Sequence, residues 1–342
     1  MLERYLIFGG TGSLGKKLIE RLLPVAEVGI YSRDESKHWS IKNELANDKF
    51  LPRLRTFVGD VRSTERMKQI IRQYKPATLI LAAALKHVDT CELSPSESTL
   101  TNVVGTQNVV DILQTTDCNS IKNVMFVSTD KACAPVSVYG MCKALSERII
   151  TSQAALGNPN IKYVAVRYGN VLESRGSIIP LFKYQTENSE CITVTNPDMT
   201  RFVMTLDESV DLILETLQHG NSGEIWIPKL PAMRIGDLAE IFSEKSGKPI
   251  SVIGFRPGEK MHEELINSTE SVRTDMNGAC TRYIMKPSFM PVSRKAFTYG
   301  SKDTVFTKDQ LLEYLEKLGI LDAPLESFKG SSIEHILTNQ TK

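Results

Sequence analysis

Short apolar runs separated by longer amphipathic stretches repeat through the first half of the chain, at residues 5–8, 28–31, 54–58, 78–82, 124–128 and 163–167. Runs of this length without polar alternation predict strands covered on both faces, and helical spacing between them predicts βαβ units and a parallel sheet. Two of the helices are legible in detail. Residues 13–23 open after a glycine turn, and residues 95–113 carry proline in the first turn, where its missing N–H would have had no partner anyway. In such sheets ligands lie beyond the carboxyl ends of the strands.

After Arg167 the alternation loosens, and Pro180, Pro197, Pro228, Pro231 and Pro257 punctuate shorter elements. A smaller mixed α/β substrate-binding domain is expected there. Residues 207–219 read as a helix and 224–227 as a strand, so the chain is expected to return to the first domain over about 205–228. The predicted division is 1–170 for the nucleotide-binding domain, mainly 171–322 for the substrate-binding domain, and a polar tail over 323–342. At roughly 150 residues per domain, 342 residues suit this organisation and leave room to enclose both a cofactor and a substrate.

Composition narrows the function classes. Forty-one basic against 40 acidic residues leave a formal charge of +1, which argues against nucleic acid or an anionic membrane as partner. The six cysteines, Cys91, Cys118, Cys133, Cys142, Cys191 and Cys280, contain no C-x-x-C pair and read as free thiols of a reducing compartment. The amino terminus runs straight into a strand, and no apolar run approaches the ~18 residues a bilayer span needs. A cytoplasmic protein is therefore expected. His87 and His262 belong to no set with metal-ligand spacing, and no metal is expected.

The first strand ends in Gly9-Gly10-Thr11-Gly12-Ser13-Leu14-Gly15. Glycines between a strand and a helix let the backbone approach a pyrophosphate, whose charge meets the free N–H groups of the helix start. The fold class expected is thus α/β, a Rossmann-like doubly wound parallel sheet carrying a dinucleotide. The second strand ends in Tyr31-Ser32-Arg33-Asp34, with Lys37 a helical turn on. An acid here would accept from a ribose 2′-hydroxyl, whereas Ser32, Arg33 and Lys37 suit a 2′-phosphate and predict NADP, Asp34 leaving NAD as the alternative. Asp60 and Val61 after the third strand are expected beside the adenine, and Ala82 to Ala84 where the chain passes the cofactor.

Tyr139 and Lys143 stand four residues apart on one face of a predicted helix that follows the fifth strand and its terminal Ser128-Thr129. For a tyrosine to act as base near neutrality its pKa must fall from about 10 to about 7, a differential stabilisation of about 4 kcal/mol. A sheltered cation about 4 Å away supplies about that much, but only about 1 kcal/mol in bulk water. Asp130 and Lys131 add an acid and a possible base at the mouth of the same site. Hydride transfer needs neither, whereas an elimination needs one group to remove a proton and another to protonate the departing hydroxyl.

Taken together, Leu85-Lys86-His87-Val88, Ser128-Thr129-Asp130-Lys131-Ala132, Tyr139-Gly140 with Lys143, Arg167-Tyr168-Gly169-Asn170-Val171, Ser174-Arg175-Gly176-Ser177, Met199-Thr200-Arg201-Phe202 and Arg256-Pro257-Gly258-Glu259-Lys260 resemble the inverting UDP-N-acetylglucosamine 4,6-dehydratases of the extended short-chain dehydrogenase type, over about residues 5–266. Asp-Lys after the threonine is the feature that separates them from retaining sugar 4,6-dehydratases, which carry Asp-Glu. The resemblance implies a cycle on UDP-N-acetylglucosamine. Tyr139, assisted by Lys143, takes the C4 hydroxyl proton while hydride leaves C4; Lys131 removes the acidified C5 proton; Asp130 protonates the departing C6 hydroxyl. Return of hydride to C6 and reprotonation on the opposite face of C5 give a 4-keto-6-deoxy sugar of inverted configuration. It further implies cofactor contacts from the glycine loop and from Lys86, Thr101, Asn102, Tyr139, Lys143 and Val171. Nucleotide-sugar contacts are implied for Lys86, Thr129, Asn170, Arg175, Ile178, Arg201, Arg256 and Glu259, as is a homo-oligomer built on the helix near Pro95, possible as a dimer or hexamer. Three positions depart from the family pattern. Phe8 stands where threonine is common, Cys133-Ala134-Pro135-Val136 replaces Ala-Asn-Pro-Ile, and residues 196–201 resemble a capsule-sugar branch while Tyr139 resembles a flagellin-sugar branch. The competing readings are a nucleotide-sugar 4-epimerase or reductase on the same fold, and a noncatalytic NADP-sensing protein.

Overall fold

In the computed structural model, which describes residues 2–115, 118–172, 174, 177–290 and 295–325, the apolar runs form β1 (Arg4–Phe8), β2 (Glu27–Ser32), β3 (Leu54–Val58), β4 (Thr78–Leu81), β5 (Asn123–Val127) and β6 (Lys162–Val166), each within one residue of expectation. The first three intervening helices are α1 (Ser13–Leu22), α2 (Glu35–Glu44) and α3 (Thr64–Tyr74). In α1, Gly15, Leu18, Ile19 and Leu22 form the buried stripe, and in α3 Met67, Ile70, Ile71 and Tyr74 do so. That i, i+3, i+4, i+7 spacing seals each helix against the sheet.

The six strands run parallel in the order β3-β2-β1-β4-β5-β6. The chain winds outward from β1 in one direction, then returns to wind outward from β4 in the other, so the loops after β1 and β4 flank the crevice where such sheets bind ligands. The fold is the doubly wound α/β architecture expected.

Between β4 and β5 the single expected helix is divided. The segment comprises α4 (Val88–Leu93), α5 (Pro95–Ser98), a widened π-type stretch over Thr99–Val104, and α6 (Gly105–Thr115). The wide turns hold Thr101 and Asn102 inward, and Asn102 clamps the loop after β4, its Oδ1 accepting from Leu85 N at 2.8 Å and its Nδ2 donating to Leu85 O at 2.9 Å. Such polar inward positions are invisible to an apolar periodicity. Between β5 and β6 lie α7 (Val138–Thr151) and α8 (Gln153–Leu156).

The second half supplies β7 (Asn170–Val171), α9 (Ile178–Asn188), β8 (Ile192–Val194), β9 (Thr200–Met204), α10 (Leu206–His219), β10 (Ile225–Pro228), β11 (Ala232–Arg234), α11 (Ile235–Ser246), β12 (Ile250–Val252), β13 (Glu264–Ile266), α12 (Ser268–Ser271), β14 (Thr274–Met276), β15 (Arg282–Met285), β16 (Tyr299–Gly300) and α13 (Lys308–Lys317). Here α10 starts on a full capping box of Thr205 and Glu208 and lies against α1, where Arg21 meets Asp207 and Asp211. β10 joins β6 in parallel, then β15 and β14 continue antiparallel, making nine strands among the described residues. Residues 274–285, expected in the smaller domain, thus extend the main sheet.

A second apolar cluster lies apart from the main core. Leu172, Ile179, Phe182, Val203, Met233, Leu238 and Leu315 bring α9, α11 and α13 onto the small sheet β11-β9-β7. No helix among the described residues is long and apolar enough to cross a membrane.

Candidate active site

The glycine loop meets the loop after β4 at very close range. Gly9 has φ +81°, and a Cβ there would stand 2.7 Å from Ala83 Cα, so only glycine fits. Gly12 is the N-cap of α1 and provides no side-chain cap, which leaves the helix start open to an anion. Val61 and Thr101 line a small cleft with Phe8, Leu81 and Ala83 beside this crevice, and Ala82 N donates to Phe8 O at 3.0 Å. These features fit a dinucleotide.

At the end of β2, Thr11 Oγ1 donates to Ser32 Oγ at 3.3 Å, and His38 Nε2 lies 2.7 Å from the same oxygen. Arg33 is exposed, with Asp60 4.0 Å away, and Asp60 is itself engaged by Arg62 at 2.7 Å. The Asp34 carboxylate caps α2 through Lys37 N at 3.1 Å and pairs with Lys37 Nζ at 3.0 Å. The acid that kept NAD open is therefore turned onto its own helix.

The fifth strand delivers the chemistry. Ser137 caps α7 through Gly140 N at 3.1 Å, and both Tyr139 and Lys143 are buried on that helix. The two side chains do not share one polar partner. Lys143 Nζ donates to Val127 O at 2.6 Å and stands 4.3 Å from the Phe126 ring centre. Burial lowers the Lys143 pKa to about 8, with Glu147 opposing. Burial pushes Tyr139 up to about 12, and the cation that counters it is Lys131 rather than Lys143. The simple charge pair drawn from the four-residue spacing is thus replaced, in the resting chain, by a phenol facing Lys131, with Thr129 beside it.

Lys131 is the centre of a buried ionic cluster. Its Nζ is 3.1 Å from Asp130 Oδ1 and 3.3 Å from Glu263 Oε1. Thr129 Oγ1 donates to Asp130 Oδ1 at 2.9 Å, whereas Asp130 Oδ2 and Ser128 Oγ are buried without a partner. Burial holds the Asp130 carboxyl above its ordinary value against the pull of Lys131, and Glu263 raises it further. For Lys131 burial acts downward, but Asp130 and Glu263 outweigh it and keep the ammonium charged. Glu263 is the member of this cluster that no sequence motif singled out. Its only advance signal was the charge-rich run that continues Glu259-Lys260 into Met261-His262-Glu263.

The second half closes over this cluster. Gly258, with φ +77°, brings the loop of Arg256 and Glu259 against α7 and α4, since a Cβ there would lie 3.0 Å from Ser137 and Val88. Arg256 is exposed, and Lys260 Nζ donates to Cys133 O at 2.7 Å. Arg201 is buried, its Nη1 donating to Thr200 O at 2.8 Å and Met261 O at 3.2 Å. Asn170 Oδ1 is buried without a partner. Ile178 and Val171 are half-buried, at the start of α9 and the end of β7, and Lys86 is exposed on the loop after β4. Arg175 lies outside the described residues.

Two of the sequence departures have physical consequences. Cys133 is buried and its Sγ donates to Glu270 Oε2 at 3.4 Å; burial, reinforced by Glu270, pushes the thiol well up. Such a thiol is chemically inert. Ala134 has φ +42°, a left-handed conformation that asparagine tolerates better than alanine.

A doubly wound sheet of this order, with a glycine loop after β1 and a buried Tyr-x-x-x-Lys helix after β5, is a fold shared with solved nucleotide-sugar 4,6-dehydratases and 4-epimerases. Residues 5–284 match the family described as polysaccharide biosynthesis protein, and the chain belongs to it. It is 37% identical over 326 residues to a Rickettsia typhi protein called UDP-glucose 4-epimerase, with 92% of each chain covered. A Methanocaldococcus jannaschii protein described as an uncharacterized membrane protein is 36% identical over 330 residues, covering 92% of this chain and 96% of its own. The crystal structure of Pen from Bacillus thuringiensis is similar at a TM-score of 0.84 and 33% identity, over 93% of this chain and 98% of that one.

Proposed function

We propose that this chain is an NADP-dependent 4,6-dehydratase that acts on UDP-N-acetylglucosamine and inverts C5, giving UDP-2-acetamido-2,6-dideoxy-β-L-arabino-hex-4-ulose. The observation that carries this reading is the buried cluster of Asp130, Lys131 and Glu263 beside Tyr139. A hydride shuttle at C4 requires a base and a nearby cation, and Tyr139 with Lys143 suffices for that. A carboxyl biased toward its protonated form with one oxygen unpartnered, set against an amine, is additional equipment. It matches elimination, in which Asp130 protonates the departing C6 hydroxyl and Lys131 takes the C5 proton once the C4 carbonyl has acidified it. Lys131 begins charged, so it becomes a base only after passing its own proton to the Glu263 carboxylate 3.3 Å away. Bound NADP would supply the hydride acceptor at C4 and the donor at C6. Asn170, Arg256 and Glu259 are the proposed contacts to the nucleotide sugar, with Thr129 at its reacting hydroxyl.

The 4-epimerase reading is favoured by one observation, the name carried by the Rickettsia relative. Turnover of UDP-N-acetylglucosamine in deuterated water separates the two. A 4-keto-6-deoxy product with deuterium at C5 and inverted configuration is expected by NMR, and a 4-epimer formed without loss of water would overturn the proposal.

For the cofactor, the exposed Arg33 and the engaged Asp34 support a 2′-phosphate. Replacing Arg33 with alanine should weaken NADP binding about ten-fold or more, the scale of one charge-assisted hydrogen bond, while leaving NAD binding near its starting value. Equal losses for both cofactors, measured by titration calorimetry, would count against the 2′-phosphate role. A homo-oligomer is also proposed, supported by exposed Leu100 and Val104 on the π-type stretch and Met141 and Leu145 on α7.

A further inference from the structure

One ammonium, that of Lys131, stands between two buried carboxylates, 3.1 Å from Asp130 and 3.3 Å from Glu263. Two buried carboxylates that share one ammonium repel each other, so the one with fewer further cations around it is driven to keep its proton. Their surroundings differ enough to decide which. Glu263 faces Lys131, Arg201 of β9 and Lys260, the last at 4.0 Å from its Oε2. Its backbone N–H is also fixed by Ser301 Oγ at 3.0 Å. Asp130 is fully buried, is paired with Lys131, and faces the charge of Glu263 and the phenol of Tyr139 from α7.

We propose that Glu263 is the positioning residue of the acid: by serving as the standing counter-ion of Lys131, it leaves Asp130 protonated at neutral pH, with the proton on Oδ2. The hydrogen bonds identify the oxygen. Oδ1 already accepts from Thr129 Oγ1 at 2.9 Å and from Lys131 Nζ at 3.1 Å. A proton there would face two donors. Oδ2 is buried and has no partner, so a proton on it makes a donor that lacks only an acceptor, such as a departing hydroxyl oxygen. The directions of titration agree, since burial and Glu263 hold Asp130 up while Lys131, Arg201 and Lys260 outweigh burial and hold Glu263 below its ordinary value. The inference rests on the dehydratase reading only for the use made of this proton.

Infrared spectroscopy of the full chain tests it directly. At neutral pH the wild type should show the carbonyl band of a buried, protonated carboxyl, assigned by its disappearance in Asp130→Asn. In Glu263→Gln that band should titrate away at a pH lower by about one unit or more, because the negative charge that disfavours ionisation of Asp130 is gone. Glu263→Asp, which keeps the charge, should restore most of the difference; a merely structural role would not move the band at all. Absence of the band from the wild type at neutral pH, or an unmoved band in Glu263→Gln, overturns the proposal. Should Glu263→Gln fail to fold, the comparison of wild type with Asp130→Asn still decides whether the proton is there. Failure of the dehydratase reading looks different: the band is present, but the wild type turns over nucleotide sugar without losing water.

Discussion

Replacing Lys131 with alanine is expected to reduce formation of the 4-keto-6-deoxy sugar by about a hundred- to ten-thousand-fold, the range supplied by a positioned acid or base. NADP binding should persist, because the glycine loop and Arg33 lie at the ends of β1 and β2, away from the turn after β5. Oxidation at C4 should be slowed but not abolished, since Tyr139 and Lys143 remain while Tyr139 loses the Lys131 charge that opposes burial, so reduced cofactor should still accumulate on mixing with substrate and be visible by its absorbance. The loss of the amine also removes the cation shared by Asp130 and Glu263. Asp130 is then biased still further toward its protonated form, so a missing acid does not account for the loss. Turnover within a few-fold of wild type would contradict the role given to Lys131, and persistent 4-epimerisation would favour the other reading.

What the sequence made legible follows from the kind of signal each element carries. β1, β2, β4, β5 and β6 are centred on apolar runs bounded by turns, and β1 to β6 fall within one residue of their expected limits. Glycine loops and Asp-Lys pairs are local in sequence, so they too were readable. The division of the helix after Pro95 was not, because Thr101 and Asn102 turn inward as polar groups and interrupt the apolar stripe. β14 and β15 are short and carry Asp275 and Arg282, and their place beside β10 depends on pairing across about fifty residues. Glu263 was missed for a related reason. A carboxylate in a charged run reads as solvated surface, and only the approach of the turn after β5 to the chain before β13 makes it buried. The orientation of Lys143 toward Val127 O is likewise tertiary, since helical spacing places a side chain on a face but does not choose its partner.

Changing Arg167 to alanine should give the largest loss of stability, about 3–5 kcal/mol, the cost of breaking a buried ion pair by removing one partner. Arg167 has 1% of its side chain exposed and bridges Glu147 at 2.5 Å and Glu270 at 2.8 Å, while its Nη1 also donates to Leu265 O at 3.0 Å. Glu147 belongs to α7 and Glu270 to α12. The guanidinium therefore ties the helix bearing Tyr139 to the segment that follows Glu263, and the two halves of the proposed acid–base machinery share this anchor. Urea denaturation at neutral pH should show the lower midpoint with an unchanged slope. Acid provides the second half of the test. Burial acts to raise the Glu270 carboxyl, but Arg167 outweighs it and holds the folded-state pKa below the ordinary value, so its stabilisation is present above the unfolded pKa and is lost as pH falls through the folded one. In Arg167→Ala the largest opposition to burial is gone, leaving the hydrogen bonds from Asn267 N and Cys133 Sγ, and the carboxyl takes up its proton more readily when folded. The stability gap between the two proteins should accordingly be widest near neutrality and narrow toward acid. A loss under about 1 kcal/mol, or a gap that widens on acidification, would mean that Arg167 acts by packing rather than by charge.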